Sequence, residues 1–147
     1  MANTERFEKV DIGKLVPYAR NARTHNKEQI VQLRASLREF GFVSPVIIDS
    51  DYNIIAGHGR VAAAKEEGYT TVPCVFAENL TEAQKRAYIL ADNRLAMNAG
   101  WDEDMLSVEL SDLQADAFDV SLLGFTDAEL NKLSAAAENV HEDDFDV

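Results

Sequence analysis

The run Ile54-Ile55-Ala56-Gly57-His58-Gly59-Arg60-Val61-Ala62-Ala63-Ala64-Lys65 is apolar, breaks at two glycines and restarts in helix-forming residues. That order predicts a strand, a tight turn and a helix, and so a fold that mixes the two kinds of structure. Glycines in such a turn allow positive φ and close approach of the backbone to a ligand. The first turn of the following helix aims unpaired N–H groups at the same point, which suits a phosphate. Arg60 adds a planar cation with several donors, and His58 offers a further donor. A purely structural turn, with Arg60 solvated and His58 merely exposed, accounts for the same residues, because short glycine patterns are weak signals.

With 147 residues and 46% apolar content, the chain suffices for one domain with an appendage and a real core. No apolar run reaches the roughly 18 residues of a membrane span, and Met1 to Val10 is too polar for a signal peptide. A soluble, cytoplasmic protein without a membrane partner is expected. Cys74 is the only cysteine, so neither an internal disulfide nor a cysteine-based metal site is available. Its apolar surroundings, Val72-Pro73-Cys74-Val75-Phe76, predict a buried, inert thiol. The net charge of −12 is unevenly placed: residues 1–98 hold 13 Lys and Arg against 12 acids, whereas residues 99–147 hold one Lys against 14 acids. The first two thirds can present a basic patch to a polyanion, and the last third repels one. Charge therefore argues against duplex DNA binding by the chain alone, and the acidic third is expected to suppress it.

In chain order, residues 1–9 are polar and expected to fray, and Val10 to Val16 predicts a first strand and turn ending at Pro17. Tyr18 to His25 reads as an irregular loop whose Arg20, Arg23 and His25 serve an anion or are simply solvated. Asn26 and Gln29 fit a capping pair, and Ile30, Leu33, Leu37 and Phe40 then recur at helical spacing before Gly41, predicting an amphipathic helix over 27–40. Arg34 and Arg38 on its flank suit a solvated face or a nucleic-acid contact. Phe42 to Asp49 predicts a strand, Asp51-Tyr52-Asn53 a turn, and Ile54 to Ala56 a strand pairing back. A helix over 60–67 stops at Gly68, and Thr71 to Ala77 predicts another strand. Thr81 and Gln84 repeat the capping pattern before a long helix through Met97, with Ala83, Ala87, Leu90, Ala91 and Leu95 as its buried stripe and Asp92 and Asn93 late on it. Beyond Asn98-Ala99-Gly100, Asp102 caps an acidic helix carrying Met105, Leu106, Val108 and Leu110. Ser121 to Phe125 reads as a turn, and Thr126 with Glu129 forms a capping box opening a last helix through about Ala137. Trp101, Phe118 and Phe125 read as packing residues.

Three ordered stretches carry a resemblance. Asn21-Ala22-Arg23, Gly41-Phe42-Val43-Ser44-Pro45-Val46 and Gly57-His58-Gly59-Arg60 resemble the first box, strand entry and phosphate box of the ParB N-terminal, or ParB/sulfiredoxin-like, superfamily. Asp92-Asn93-Arg94 is similar to a weaker third box, where ParB proteins have adjacent Glu and Asn beside nucleotide and metal. Leu15 to Arg23, Ile55 to Arg60, and Leu80 to Tyr88 through Trp101 more narrowly resemble phage and prophage proteins in which a ParB-like domain precedes a DNA amino-methyltransferase. Nothing after residue 101 offers that enzyme's glycine-rich cofactor loop or Pro-Pro-Tyr motif, and the helix-turn-helix that follows in ParB is not visible either, which argues against sequence-specific recognition by this chain alone.

The resemblance implies an α+β fold, a small mixed sheet with packed helices followed by a small C-terminal helical subdomain. The implied organisation is a nucleotide-binding domain over 8–98, an acidic helical subdomain over 99–137 and a disordered acidic tail or linker over 138–147. Asn21, Arg23, Gly57, His58, Gly59 and Arg60 are the implied nucleotide-binding residues. Asp92 and Asn93 are the implied Mg²⁺ ligands, with Asp92 the catalytic candidate if a nucleoside triphosphate is hydrolysed. The expected role is a nucleotide-binding module of DNA-processing machinery, partition-like or accessory to a fused or separate DNA methyltransferase, touching DNA weakly or through a partner and able to oligomerise. A metal-dependent NTPase or small-molecule kinase is the alternative, with slow hydrolysis, and a ParB-like nuclease a weaker one. The choice among ATP, CTP and GTP stays open. Sulfiredoxin chemistry is disfavoured, because His58 stands where that enzyme's box holds cysteine and Cys74 lies in a different strand.

Overall fold

The computed structural model describes residues 6–19 and 25–135. Contacts divide the chain into two compact units, Met1–Asn98 and Ala99–Val147. In the first unit, β1 (Arg6–Asp11), β2 (Val16–Pro17), α1 (Lys27–Phe40), β3 (Val46–Ile48), β4 (Asn53–Ala56), α2 (His58–Glu66), β5 (Thr71–Phe76) and α3 (Glu82–Asn98) follow one another. The strands form one mixed sheet in the order β1-β5-β3-β4-β2. The pairs β1/β5 and β3/β4 are antiparallel, whereas β3/β5 and β2/β4 are parallel. An α+β fold with a small mixed sheet and packed helices is therefore what the chain forms.

Alternation builds the core. Val72, Cys74 and Phe76 point from β5 to the same face, where they meet Val46 and Ile48 of β3, Ile54 of β4, and Val61, Ala63 and Ala64 of α2. Burial pushes the Cys74 thiol up to about 11, so it stays protonated and inert as expected. Asn26 caps α1 by accepting the Gln29 N–H at 2.7 Å, and the helix stops at Gly41. Leu37 is buried, with Ile30 and Leu33 packed on the core, while Phe40 is exposed rather than part of the stripe.

Several expectations need correction. The first strand starts at Arg6, inside the stretch expected to fray. The six-residue ladder to β5 holds it, and Arg6 bonds Glu8 and Glu78 while lying 4.0 Å over the Phe76 ring. The strand expected over Val10 to Val16 is divided: β1 ends at Asp11, a 3-10 turn spans Ile12–Lys14, and Pro17 is the last residue of the edge strand β2, where its missing N–H is tolerated. The strand expected from Phe42 shrinks to Val46–Ile48, because Gly41 turns the chain at φ 75° and Pro45 lacks a ladder donor. The helix expected to begin at Arg60 begins at His58. On α3, Lys85 and Ile89 are buried and Asn93 half-buried, four residues apart along one line, whereas Ala83, Ala87, Leu90, Ala91 and Leu95 are exposed. A single narrow seam against β4 selects that line over the apolar one.

In the second unit, Asp102 caps α4 (Glu103–Ala115), a 3-10 turn spans Val120–Leu123, and α5 covers 127–135. Leu110, Val120 and Leu133 form its core with Leu106, Leu113, Leu123, Phe125 and Leu130 around them. The expected capping box is reciprocal: Thr126 N–H donates to Glu129 Oε1 at 3.0 Å, and Glu129 N–H to Thr126 Oγ1 at 3.1 Å. The Trp101 ring stands 5.8 Å from that of Phe125 but is 69% exposed. Residues 136–147, with the expected tail, lie outside the described residues. Among those described, no helix is long and apolar enough to cross a membrane.

Candidate functional site

β4 delivers the chain to Gly57, whose φ of 108° a side chain rarely adopts, and α2 starts at once. Gly57 C=O accepts the Val61 N–H at 2.9 Å, so the N–H groups of His58, Gly59 and Arg60 precede the helical ladder. Gly57 has no side chain with which to cap them. Gly59 answers a different demand from the one expected of it. It lies inside the helix without positive φ, and a Cβ there would come within 2.9 Å of His25 and Leu33. It is glycine because the segment before α1 and α1 itself press on this turn, as well as for any ligand.

A cavity of about 200 Å³ opens at this helix start, lined by Gly57, His58, Gly59 and Arg60 from α2, His25 and Gln29 from the start of α1, and Asp92 and Asn93 from α3. Arg60 reaches the Pro45 carbonyl with Nη2 at 3.3 Å, and its buried Nε has no protein partner. Burial lowers the Arg60 guanidinium below the ordinary arginine value, and the Asp92 carboxylate opposes the shift. An orphaned buried guanidinium N–H costs free energy unless something occupies it.

His58 Nε2 accepts the Tyr18 backbone N–H at 3.1 Å. An accepting Nε2 fixes the neutral ring with its proton on Nδ1. Burial, then the charge of His25, pushes the His58 imidazole below its usual value. His25 Nδ1 lies 2.7 Å from Gln29 Oε1 and so carries a hydrogen. Gln29 thus spends its side chain on His25, and the reciprocal half of the capping pair does not form.

Asp92 and Asn93, read from a weak likeness, line the same cavity as Gly57 to Arg60. Asn93 Nδ2 donates to Ile89 C=O at 2.7 Å. Asn21, Arg23 and Arg20 lie outside the described residues. Arg34 is half-buried and Arg38 exposed, and both are ion-paired: each bonds Glu67 Oε1, at 2.7 and 2.8 Å, and Arg34 also bonds Glu66.

Sequence reasoning missed one network beside the site. Asp49, 1% exposed, accepts from the Asp51 and Asn53 backbone, from Asn53 Nδ2 and from Lys85 Nζ. Lys85 also bonds Glu82, which accepts the Tyr18 hydroxyl at 2.7 Å. The Asp49-x-Asp51-x-Asn53 spacing signals an Asx turn, but nothing local pairs it with Lys85.

Comparison with known proteins places this geometry. Residues 104–147 match the ParB-methyltransferase HTH domain. That likeness runs against the expectation that no helix-turn-helix follows; the acidic character of α4 and α5 hid it, since DNA-reading helices are usually sought by basic charge. Over 93 residues the chain is 34% identical to Stage 0 sporulation protein J of Bacillus subtilis, covering 60% of this chain but 33% of that one, so it spans a third of that relative. The fold is shared with the C-terminally truncated chromosome-partitioning protein ParB from Caulobacter crescentus complexed with CTP-gamma-S, at TM-score 0.64 and 23% identity, over 74% of this chain and 62% of that one. Over 72 residues the chain is 50% identical to the ParB-like nuclease domain-containing protein YnaK of Escherichia coli, covering 49% of this chain and 83% of that one. Residues 1–94, which carry the glycine-capped helix start and its cavity, match the ParB N-terminal domain, and the chain belongs to that family.

Proposed function

We propose that residues 8–98 bind a nucleoside triphosphate, with its phosphates at the start of α2, as a module of DNA-processing machinery. The observation that carries this reading is Arg60, whose buried Nε has no partner at the mouth of a helix start that no side chain caps. Unpaired helix N–H groups and a guanidinium together suit a multiply charged phosphate group. The cavity of about 200 Å³ is smaller than the roughly 300–1,000 Å³ of a whole small-molecule pocket, so it takes phosphates and leaves base and ribose outside. The CTP-gamma-S held by the Caulobacter fold relative supports a nucleotide as guest and favours CTP over ATP. Asn21 and Arg23 belong to the set by resemblance. The match of residues 104–147 to the ParB-methyltransferase HTH domain supports a DNA or methyltransferase partner.

A metal-dependent NTPase or kinase is the second reading, favoured by Asp92 and Asn93 on the same cavity. Mg²⁺ is commonly held by one or two carboxylates and the ligand's phosphates, which one Asp and one Asn fit. The nuclease in the name of YnaK finds less support: among the described residues no three His, Cys, Asp or Glu cluster as a metal site. A thermal-shift screen of four ribonucleotides, with and without Mg²⁺, tests the proposal. A ligand at 100 times its dissociation constant adds about 2.7 kcal/mol of stability; no shift with any nucleotide contradicts it.

A further inference from the structure

The described residues that line the cavity do not by themselves match the charge of a polyphosphate. Among the described residues lining it, Arg60 is the fixed cation and Asp92 the fixed anion, so the two cancel and only His25 and His58 remain to add charge. His25 stands on the segment before α1, Arg60 on α2 with His58, and Asp92 on α3. Tyr18, whose N–H meets His58, commits its phenol to Glu82, and Lys85 bridges Glu82 and Asp49, one cation between two carboxylates.

We propose that His58 adds positive charge to the cavity, taking up a proton as phosphate groups enter and giving up its bond to the Tyr18 N–H as it does so. This rests on the nucleotide reading above and makes His58 a specificity-determining residue for highly charged phosphates. The geometry carries it. Nε2 can accept from Tyr18 only while unprotonated, because an imidazolium has two donors and no acceptor. Without ligand, the Tyr18 bond, burial and the charge of His25 all favour the neutral ring. A polyphosphate at the helix start reverses that balance by placing negative charge beside the ring. The Tyr18 N–H then loses its acceptor, so occupancy of the cavity is coupled to release of β2's exit from α2.

Calorimetric titration of the full chain with CTP and ATP at pH values from 6 to 8, on wild type and His58→Gln, tests this. Glutamine keeps an acceptor for Tyr18 but cannot titrate. Wild-type affinity should rise as pH falls, by up to tenfold per pH unit for one proton taken up. The slope of His58→Gln should be shallower by that amount, and subtracting the two removes the ligand's own titration. Ring NMR of ¹⁵N-labelled His58 adds a measurement free of mutation: the Nδ1–H tautomer without nucleotide, the doubly protonated ring with it. Nucleotide binding with equal slopes, or with a ring that stays neutral, overturns this inference alone. No binding by the wild type at any pH overturns the nucleotide reading beneath it as well.

Discussion

Asp49 and Lys85 are joined by a buried ion pair, Nζ 3.0 Å from Oδ2, that fastens α3 to the β3–β4 turn. Burial pushes the Asp49 carboxyl up, but bonds from Asn53, Lys85 and Asp51 outweigh it and hold the group below its ordinary value. Its stabilisation is thus present above the unfolded carboxyl value of 3.8 and is lost as pH falls through the lower folded one. Asp49→Ala should cost about 3 kcal/mol in urea denaturation, the lower end for one member of a buried pair, because Lys85 keeps 11% of its side chain exposed. It should also detach Asp92 and Asn93 from the cavity, since both ride on α3.

Gly59→Ala should destabilise the first unit by about 1–3 kcal/mol, as overpacking does. The new methyl group meets His25 and Leu33 at 2.9 Å, and His25 is held by Gln29. Circular dichroism on thermal unfolding measures the loss. Gly68→Ala offers a contrast: no atom lies within 4 Å there, so any cost comes from its φ of 82° alone.

Without nucleotide, the lowered His58 value makes its contribution to stability complete above the unfolded imidazole value of 6.5 and removes it as pH falls through the folded one. The melting temperature should therefore drop between pH 7.5 and 5.5, and His58→Gln should flatten that drop. An identical pH profile for both proteins would show that Nε2 does not hold the Tyr18 N–H.

Arg34 and Arg38 are paired with Glu66 and Glu67, so replacing both by Ala should leave salt-sensitive binding of duplex DNA unchanged. Glu67→Gln should strengthen it by freeing Arg38 and leaving Arg34 paired with Glu66 alone. Fluorescence anisotropy at two salt concentrations distinguishes these outcomes.

How much was legible in the sequence followed the range of the interactions. The glycine-capped start of α2, the Asn26 cap and the Thr126–Glu129 box rest on residues within four positions, and all were readable. The seam of α3 was not, because Lys85 earns its burial from Asp49, 36 residues away. Gly59 was read as a ligand-approach glycine, whereas the residue pressing on it is His25. Arg6 looked like part of a frayed end, since its partners Phe76 and Glu78 are brought to it by β5. The likeness to a helix-turn-helix domain escaped because one Lys among 14 acids is not how a DNA reader is recognised.

The most direct test of the nucleotide cradle is calorimetry of Arg60→Ala with CTP and ATP, with and without Mg²⁺, on protein shown to be folded by its circular dichroism. A charge-assisted phosphate contact is worth about 1.5–3 kcal/mol, so affinity should fall by roughly one to two orders of magnitude. A folded Arg60→Ala protein that binds nucleotide as tightly as the wild type would contradict the account.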